Sequence, residues 1–199
     1  MTRWEDFYRE DPRVLSAPPT DCALYAADLF ARHRARRILD LGCGVGRDSF
    51  YLSDRRFDAI ASDLAASGLE IALRLTSARN SPVPFIQADA RRLPFVDACF
   101  DGVYCFGLLH EFISDSRESD VKAVTGEIRR VLRPGGALVL AVLAGNPSDG
   151  LPHVCLFTEA MFDSAVAAFG TLEKSRCRDV GCTGSPNYQV WRGSFVKRP

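Results

Sequence analysis

Arg37-Ile38-Leu39-Asp40-Leu41-Gly42-Cys43-Gly44-Val45-Gly46-Arg47-Asp48 reads as a short apolar strand that ends in an acid and runs into three glycines at G-x-G-x-G spacing. Behind Ser49, the apolar run Phe50, Tyr51, Leu52 predicts a helix. Residues without side chains let the backbone lie directly against a ligand. The start of the helix presents N–H groups and a positive dipole end to a carboxylate or phosphate. The stretch therefore predicts a cofactor cradle between a strand and a helix.

Outward from it, apolar strand candidates (37–41, 57–62, 83–88, 100–106 and 136–143) alternate with helix candidates (47–54, 66–79 and 117–132). Such alternation predicts parallel strands joined by right-handed crossovers, with helices on both faces. Ala137-Leu138-Val139-Leu140-Ala141-Val142 is apolar throughout, as a strand covered on both sides must be. Arg133-Pro134-Gly135-Gly136 reads as a stop and a turn before that strand. Upstream, residues 20–32 predict a helix capped by Thr20 or Asp21. The aromatic, proline-punctuated start (Trp4, Phe7, Tyr8, Pro12, Pro18, Pro19) predicts an ordered arm rather than a helix. Downstream, a loop from Asn146 to Pro152 precedes a helix opened by Thr158 and Glu159 and running to about Phe169. Two strand candidates follow, 172–178 and 188–196, separated by Gly181, Gly184 and Pro186. That gap is too short for a helical crossover, so a hairpin is expected and the last strand runs antiparallel to its neighbour. The fold class is α/β: a doubly wound Rossmann-like sheet, mostly parallel with a terminal antiparallel strand.

Composition narrows the function. A chain of 199 residues suits one domain with a sizeable core. Lys plus Arg number 25 and Asp plus Glu 25, without the basic excess that marks nucleic-acid or anionic-membrane binding. No apolar run approaches the ~20 residues of a membrane span, and the N-terminus lacks the apolar core of a secretory signal. The 7 cysteines are odd in number and scattered, which predicts reduced thiols and a cytoplasmic protein.

Two cofactor classes compete for the cradle. Asp63 ends the second strand about 20 residues beyond the glycine loop, the place of an acid that accepts from a ribose diol. That position fits a dinucleotide such as NAD, and it also fits S-adenosylmethionine. Three details favour the second. The NAD fingerprint wants G-x-G-x-x-G, whereas Arg47 stands in the last slot. Asp40 suits an ammonium better than a pyrophosphate. Asp89, in Gln87-Ala88-Asp89-Ala90, closes the third strand with an acceptor for an exocyclic adenine amine. Three acids at three consecutive strand ends match an amine, a sugar and a base.

The whole pattern resembles the class I S-adenosylmethionine-dependent methyltransferases, strongly over residues 35 to 145. Ile38 to Gly46 is similar to that family's first motif, Ile60-Ala61-Ser62-Asp63-Leu64 to the second, and Asp89-Ala90 with Leu93-Pro94-Phe95 to the third. Phe100-Asp101-Gly102-Val103-Tyr104 with Leu108-Leu109-His110 is similar to the fourth, and Glu127-Ile128 through Leu132-Arg133-Pro134-Gly135-Gly136 to the last. Gly-Arg-Asp-Ser and the opening Trp-x-x-Phe-Tyr are similar to small-molecule branches, including thiopurine- and tellurite-type enzymes. The resemblance implies a seven-stranded sheet, adenine between Leu64 and Ala90, and backbone at Gly42 and Phe106 beside the methionine part. It also implies cofactor-binding roles for Tyr8, Asp40, Cys43, Gly44, Asp63 and Asp89, with residues 1–34 as an arm and helix covering the active site of a cofactor-binding domain at 35–199. Two departures stand out: Ala65 where the family often has Ser, and Gly68 inside a helix, which costs about 1 kcal/mol against Ala. Neither is expected to touch the cofactor chemistry.

Methyl transfer needs alignment and water exclusion before it needs an acid or base, which becomes necessary only for an acceptor that arrives protonated. His110 is the best-placed base or acceptor-orienting group, with Glu111 beside it facing solvent. His153 and Cys155 stand in the loop that the resemblance places over the acceptor, and Tyr8 and Trp4 on the arm. Each of these has an ordinary reading too, as packing, a loop histidine or a buried thiol. Asp101 is read as structural, capping backbone amides at a strand start. Metal binding is not expected, since C-x-x-C and H-x-x-x-H are both missing. The arginines at 34, 36, 37 and at 129, 130, 133 read as a solvated face rather than an RNA track. With no inserted domain, the expected activity is methyl transfer to an O, N or S atom of a small molecule by a monomer or homodimer. The rivals are a protein or RNA methyltransferase, a nicotinamide-dependent oxidoreductase, and a non-catalytic cofactor-binding scaffold.

Overall fold

The strands β1 (Arg37–Leu41), β2 (Asp58–Asp63), β3 (Phe85–Gln87), β4 (Phe100–Phe106), β5 (Leu132–Ala144), β6 (Gly170–Arg178) and β7 (Gln189–Val196) form one sheet. Their order is β3-β2-β1-β4-β5-β7-β6. These are the elements of a computed structural model that describes residues 3–10, 17–112, 116–149, 154–179 and 189–198. Strands β3, β2, β1, β4 and β5 are mutually parallel, and β7 is antiparallel to both β5 and β6. The last strand of the chain therefore lies one place in from the edge, with β6 outside it. The hairpin expected here is borne out by their antiparallel pairing, and its connection at 180–188 lies outside the described residues.

Alternation along each strand divides the apolar residues into two layers. Ile38, Tyr104 and Val139 face helices α2 (Asp21–Arg32) and α3 (Arg47–Asp54), where they pack with Phe30, Ala26 and Leu52. Leu39, Val103 and Leu138 face the other side and pack with Val124 and Ile128 of α5 (Arg117–Val131) and Phe162 of α6 (Glu159–Val166). Gly102 is a fit at the sheet centre: a Cβ there would stand 2.7 Å from the Phe30 ring and 2.8 Å from Ile38. Thr20 caps α2 by accepting from Ala23 N–H, and Thr158 caps α6 by accepting from Met161 N–H. Asp101 caps as expected, accepting from Arg36 N at 2.7 Å and Arg37 N at 2.9 Å. Arg130 is tied to Glu127, Asp97 and the carbonyls of Phe95 and Leu93, so it organises the loop after β3. Among the described residues, no helix is long and apolar enough to cross a membrane.

Two expectations are corrected. The arm contains a helix, α1 (Arg3–Glu10), because Trp4, Phe7 and Tyr8 recur at helical spacing and Pro12 lies beyond its end. Trp4 stacks on Tyr8 at 5.4 Å between ring centroids. Arg133-Pro134-Gly135-Gly136 is not a turn but the irregular start of β5, where the register with β4 shifts. Pro134 has no N–H to lose there, Gly135 takes φ +73°, and its N–H reaches Lys197 O at 3.0 Å.

Candidate functional site

The carboxyl ends of β1, β2 and β3 place Asp40, Asp63 and Asp89 along one edge of the sheet, the side on which ligands bind open α/β sheets. Between β1 and α3 the loop turns through Gly42 (φ +80°), Gly44 (φ +55°) and Gly46 (φ +81°), a left-handed path that side chains resist. Asp63 holds this loop. Its Oδ2 accepts from Gly44 N at 2.8 Å and its Oδ1 from Ala65 N at 2.8 Å. Burial raises the Asp63 carboxyl while these backbone N–H groups pull it back down.

The three acids share an edge but not a direction. Asp40 is buried and turned inward, where it accepts from the Ser49 hydroxyl at the start of α3. Burial, then the charge of Asp48, pushes its carboxyl up to about 8. Asp89 stands at the rim with its side chain 37% exposed, in an ion pair with Arg91 at 2.7 Å. Arg91 also reaches Asp120 of α5 at 3.0 Å, so it clamps the rim to that helix. Sequence spacing predicted where these acids sit along the chain; it carried no signal for Arg91, because an arginine two residues on usually faces water.

Tyr8 lies on the glycine loop. A Cβ on Gly44 would meet its hydroxyl oxygen at 2.4 Å, and a Cβ on Gly68 would meet its ring at 2.9 Å. Burial raises its phenol well above the usual range, with the charges of Asp63, Cys43 and Glu111 adding to the effect. Helix α1 is pinned by Glu5, which accepts from Ala66 N at 2.8 Å and Ser67 N at 3.0 Å at the start of α4 (Ala66–Arg79). Ala65, the residue before α4, has no hydroxyl to cap it, and a carboxylate from another helix takes that place. Both departures from the family pattern are thus one arrangement: Ala65 leaves the cap to Glu5, and Gly68 leaves space for Tyr8. Gly68→Val should dislodge α1, since the contact opposite Tyr8 is Gly44 backbone at 3.2 Å and cannot give way. Trypsin should then cut at Arg9 faster and Trp4 emission should shift to the red; unchanged digestion would reject the socket.

The remaining candidates lie at the carboxyl ends of β1 to β5. Phe106 and Gly42 are half-buried, with Leu108 Cβ only 3.1 Å from where a Gly42 Cβ would be. Leu64 is 47% exposed and Ala90 half-buried, leaving an apolar side chain open beyond β2. His110 is buried in a 3-10 turn (Leu109–Glu111), and its carbonyl accepts from Cys155 N at 2.7 Å. Cys155 turns its sulfur to Arg117 Nη1 at 2.8 Å. The Cys43 thiol lies 3.8 Å from Gly44 O. His153 lies outside the described residues. Sequence reading gave no role to Asp48, which is buried and binds Thr20 and Tyr104.

The donor set tests the cofactor. Asp63 holds the loop through the Gly44 N–H, Asp40 lies buried behind it, and Arg47 stands 3.5 Å from Asp48, an acid turned into the core. An acid on the loop and a second one behind it suit an ammonium, a sulfonium and a ribose diol better than a diphosphate.

Comparison with known proteins agrees with that fit. The family described as methyltransferase domain matches residues 39–140. A demethylmenaquinone methyltransferase of Thermus thermophilus is 38% identical over 117 residues, 58% of this chain and 50% of that protein. An O-methyltransferase of Aspergillus nomiae is 31% identical over 153 residues, 73% of this chain and 64% of that protein. The chain thus spans about half to two thirds of the length of these relatives. The crystal structure of the N-methyltransferase NodS of Bradyrhizobium japonicum, in complex with S-adenosyl-l-homocysteine, superposes with a TM-score of 0.74 at 16% identity, covering 100% of both chains. A likeness at that identity concerns the fold.

Proposed function

We propose that this chain, which belongs to the methyltransferase domain family, is a class I S-adenosylmethionine-dependent enzyme that moves a methyl group to an oxygen, nitrogen or sulfur atom of a small molecule. The observation that carries the reading is the carboxylate-lined glycine loop held by Asp63. When bound, S-adenosylmethionine supplies an activated methyl group on a sulfonium. The chain's own residues hold and orient it: Asp63 for the ribose diol, Leu64 and Ala90 for the faces of adenine, Asp89 for its amine. Asp40, with the backbone of Gly42, Cys43, Gly44 and Phe106, serves the methionine end under the cover of Tyr8. His110, Cys155 and His153 fall to the acceptor side. In this reading residues 1–34 cover a cofactor-binding unit at 35–199, in a cytoplasmic monomer or homodimer.

Isothermal titration of the full chain separates this reading from the oxidoreductase. S-adenosylhomocysteine should bind and NAD or NADP should not; the reverse result would overturn it.

Asp40 makes binding pH-dependent. Its raised carboxyl, at about 8, is neutral at lower pH, facing the charges of Asp48, Asp63 and Arg47 and the hydroxyl of Ser49. A bound ammonium favours the carboxylate, so ligand entry below that pH drives a proton off. Affinity for S-adenosylhomocysteine should therefore rise from pH 6 to 8, with protons released to the buffer. Calorimetry in buffers of different ionisation heat reads both. Flat affinity without proton release would remove Asp40 from the ammonium site.

A further inference from the structure

Strand β5 outruns β4. The last β4 residue, Phe106, pairs with Ala141, yet β5 continues to Ala144. Beyond the end of β4, the Leu143 N–H donates to His110 Nδ1 at 3.2 Å, where a longer strand would have offered a carbonyl. A ring nitrogen that accepts an N–H must carry its lone pair there, so the proton of the neutral imidazole is on Nε2. That nitrogen stands 3.6 Å from Glu111 Oε1, just beyond hydrogen-bond length, as contacts that tighten on substrate binding do. A histidine held in this tautomer can donate at Nε2 but has no lone pair there with which to take a proton.

Glu111 follows in the same turn, at the same end of the sheet as the glycine loop, with its side chain 16% exposed. Its charge reaches Tyr8, which rests on Gly44. We propose that Glu111 takes the proton of a neutral hydroxyl acceptor, an alcohol or phenol, and that His110 is a positioning residue that aims the Glu111 carboxylate through Nε2–H. This rests on the transferase reading above and narrows its acceptor class. The acceptor oxygen keeps the electron pair of its broken O–H bond and spends it on the new bond to the methyl carbon. The carbon–sulfur pair leaves on sulfur as a neutral thioether, and the proton stays on Glu111. A carboxylate or thiolate acceptor, already ionised, would have no use for this arrangement.

The chain has 3 histidines, so nitrogen NMR of the 15N-histidine-labelled protein resolves the tautomer without any acceptor. His110 should appear as the Nε2–H form; an Nδ1–H form would overturn the inference. Turnover is then read with methyl-tritiated S-adenosylmethionine and a series of phenols from weakly acidic ones to 4-nitrophenol. E111Q should lose about 100-fold on the weakly acidic phenols, far less on 4-nitrophenol, and keep its affinity for S-adenosylhomocysteine. Equal turnover of E111Q and wild type, or an equal loss on every phenol, would overturn it.

Two His110 variants separate positioning from packing. H110Q keeps an N–H near the Nε2 position and loses the acceptor for Leu143, whereas H110N keeps that acceptor and loses the donor. H110Q should exceed H110N in turnover by about tenfold. The opposite order would mark His110 as a plug for the Leu143 N–H and overturn the positioning role. Wild type that binds S-adenosylhomocysteine but methylates none of the phenols overturns the acceptor class and this inference alone. Wild type that fails to bind it overturns the transferase reading itself.

Discussion

Asp63→Ala should weaken S-adenosylhomocysteine binding by about 1–3 kcal/mol, roughly 5- to 150-fold in Kd, in a chain that still folds. The carboxylate does two jobs in the ligand-free protein, taking Gly44 N–H on one oxygen and Ala65 N–H on the other. Its removal leaves both N–H groups without that acceptor and frees a loop whose glycines already occupy a backbone region with little intrinsic preference. It also deletes the acceptor proposed for the ribose diol. The two effects add in the same direction, because a loose loop must be reordered before ligand can bind. Asp63→Asn retains one acceptor oxygen and should recover part of the loss. Calorimetric affinity equal to wild type in the alanine variant would remove Asp63 from both roles.

The second large effect is on stability. Asp48→Ala should lower the free energy of unfolding by about 3–5 kcal/mol, in the range of a broken buried polar network. Asp48 Oδ1 accepts from Thr20 N at 2.9 Å, and Oδ2 from the Thr20 hydroxyl at 2.9 Å and the Tyr104 hydroxyl at 2.8 Å. Thr20 and Tyr104 are themselves buried. Truncation would leave the Thr20 N–H without that acceptor and reduce the Thr20 and Tyr104 hydroxyls, 2.8 Å apart, to each other, all away from water. Urea unfolding followed by circular dichroism measures the loss, and Asp48→Asn should fall between wild type and alanine. A change below about 1 kcal/mol would show that water or a neighbour replaces the carboxylate.

These two acids lie on either side of the glycine loop, and their spacing in the chain does not tell them apart. Asp48 is one turn-start away from the cradle, yet it points into the core and joins three elements. Asp63 is further off in sequence and is the residue that shapes the loop. A local pattern specifies that an acid ends a strand or begins a helix. It does not specify which way the side chain turns, because that depends on hydroxyls and N–H groups brought up from elsewhere. Ala65 and Gly68 make the same point in reverse. Each is a weak choice by local propensity, with a missing cap and a helix glycine, and each is satisfied by α1.

The sequence by itself determined the layered α/β architecture, the central strands and the glycine loop at the end of the first strand. Those features follow from interactions between near neighbours: apolar runs that must be buried, caps three residues from their N–H, and backbone turns open to glycine. Only the tertiary structure decided that the arm is a helix carrying Tyr8 to Gly44, that β7 lies inside β6, that Asp40 turns inward, and that the His110 ring meets the Leu143 N–H. In each case the deciding partner is remote along the chain. Glu5 meets Ala66 across 61 residues, Asp48 meets Tyr104 across 56, and His110 meets Leu143 across 33. A buried polar group must find a partner somewhere, and which partner it finds is settled only when the sheet has brought those segments together.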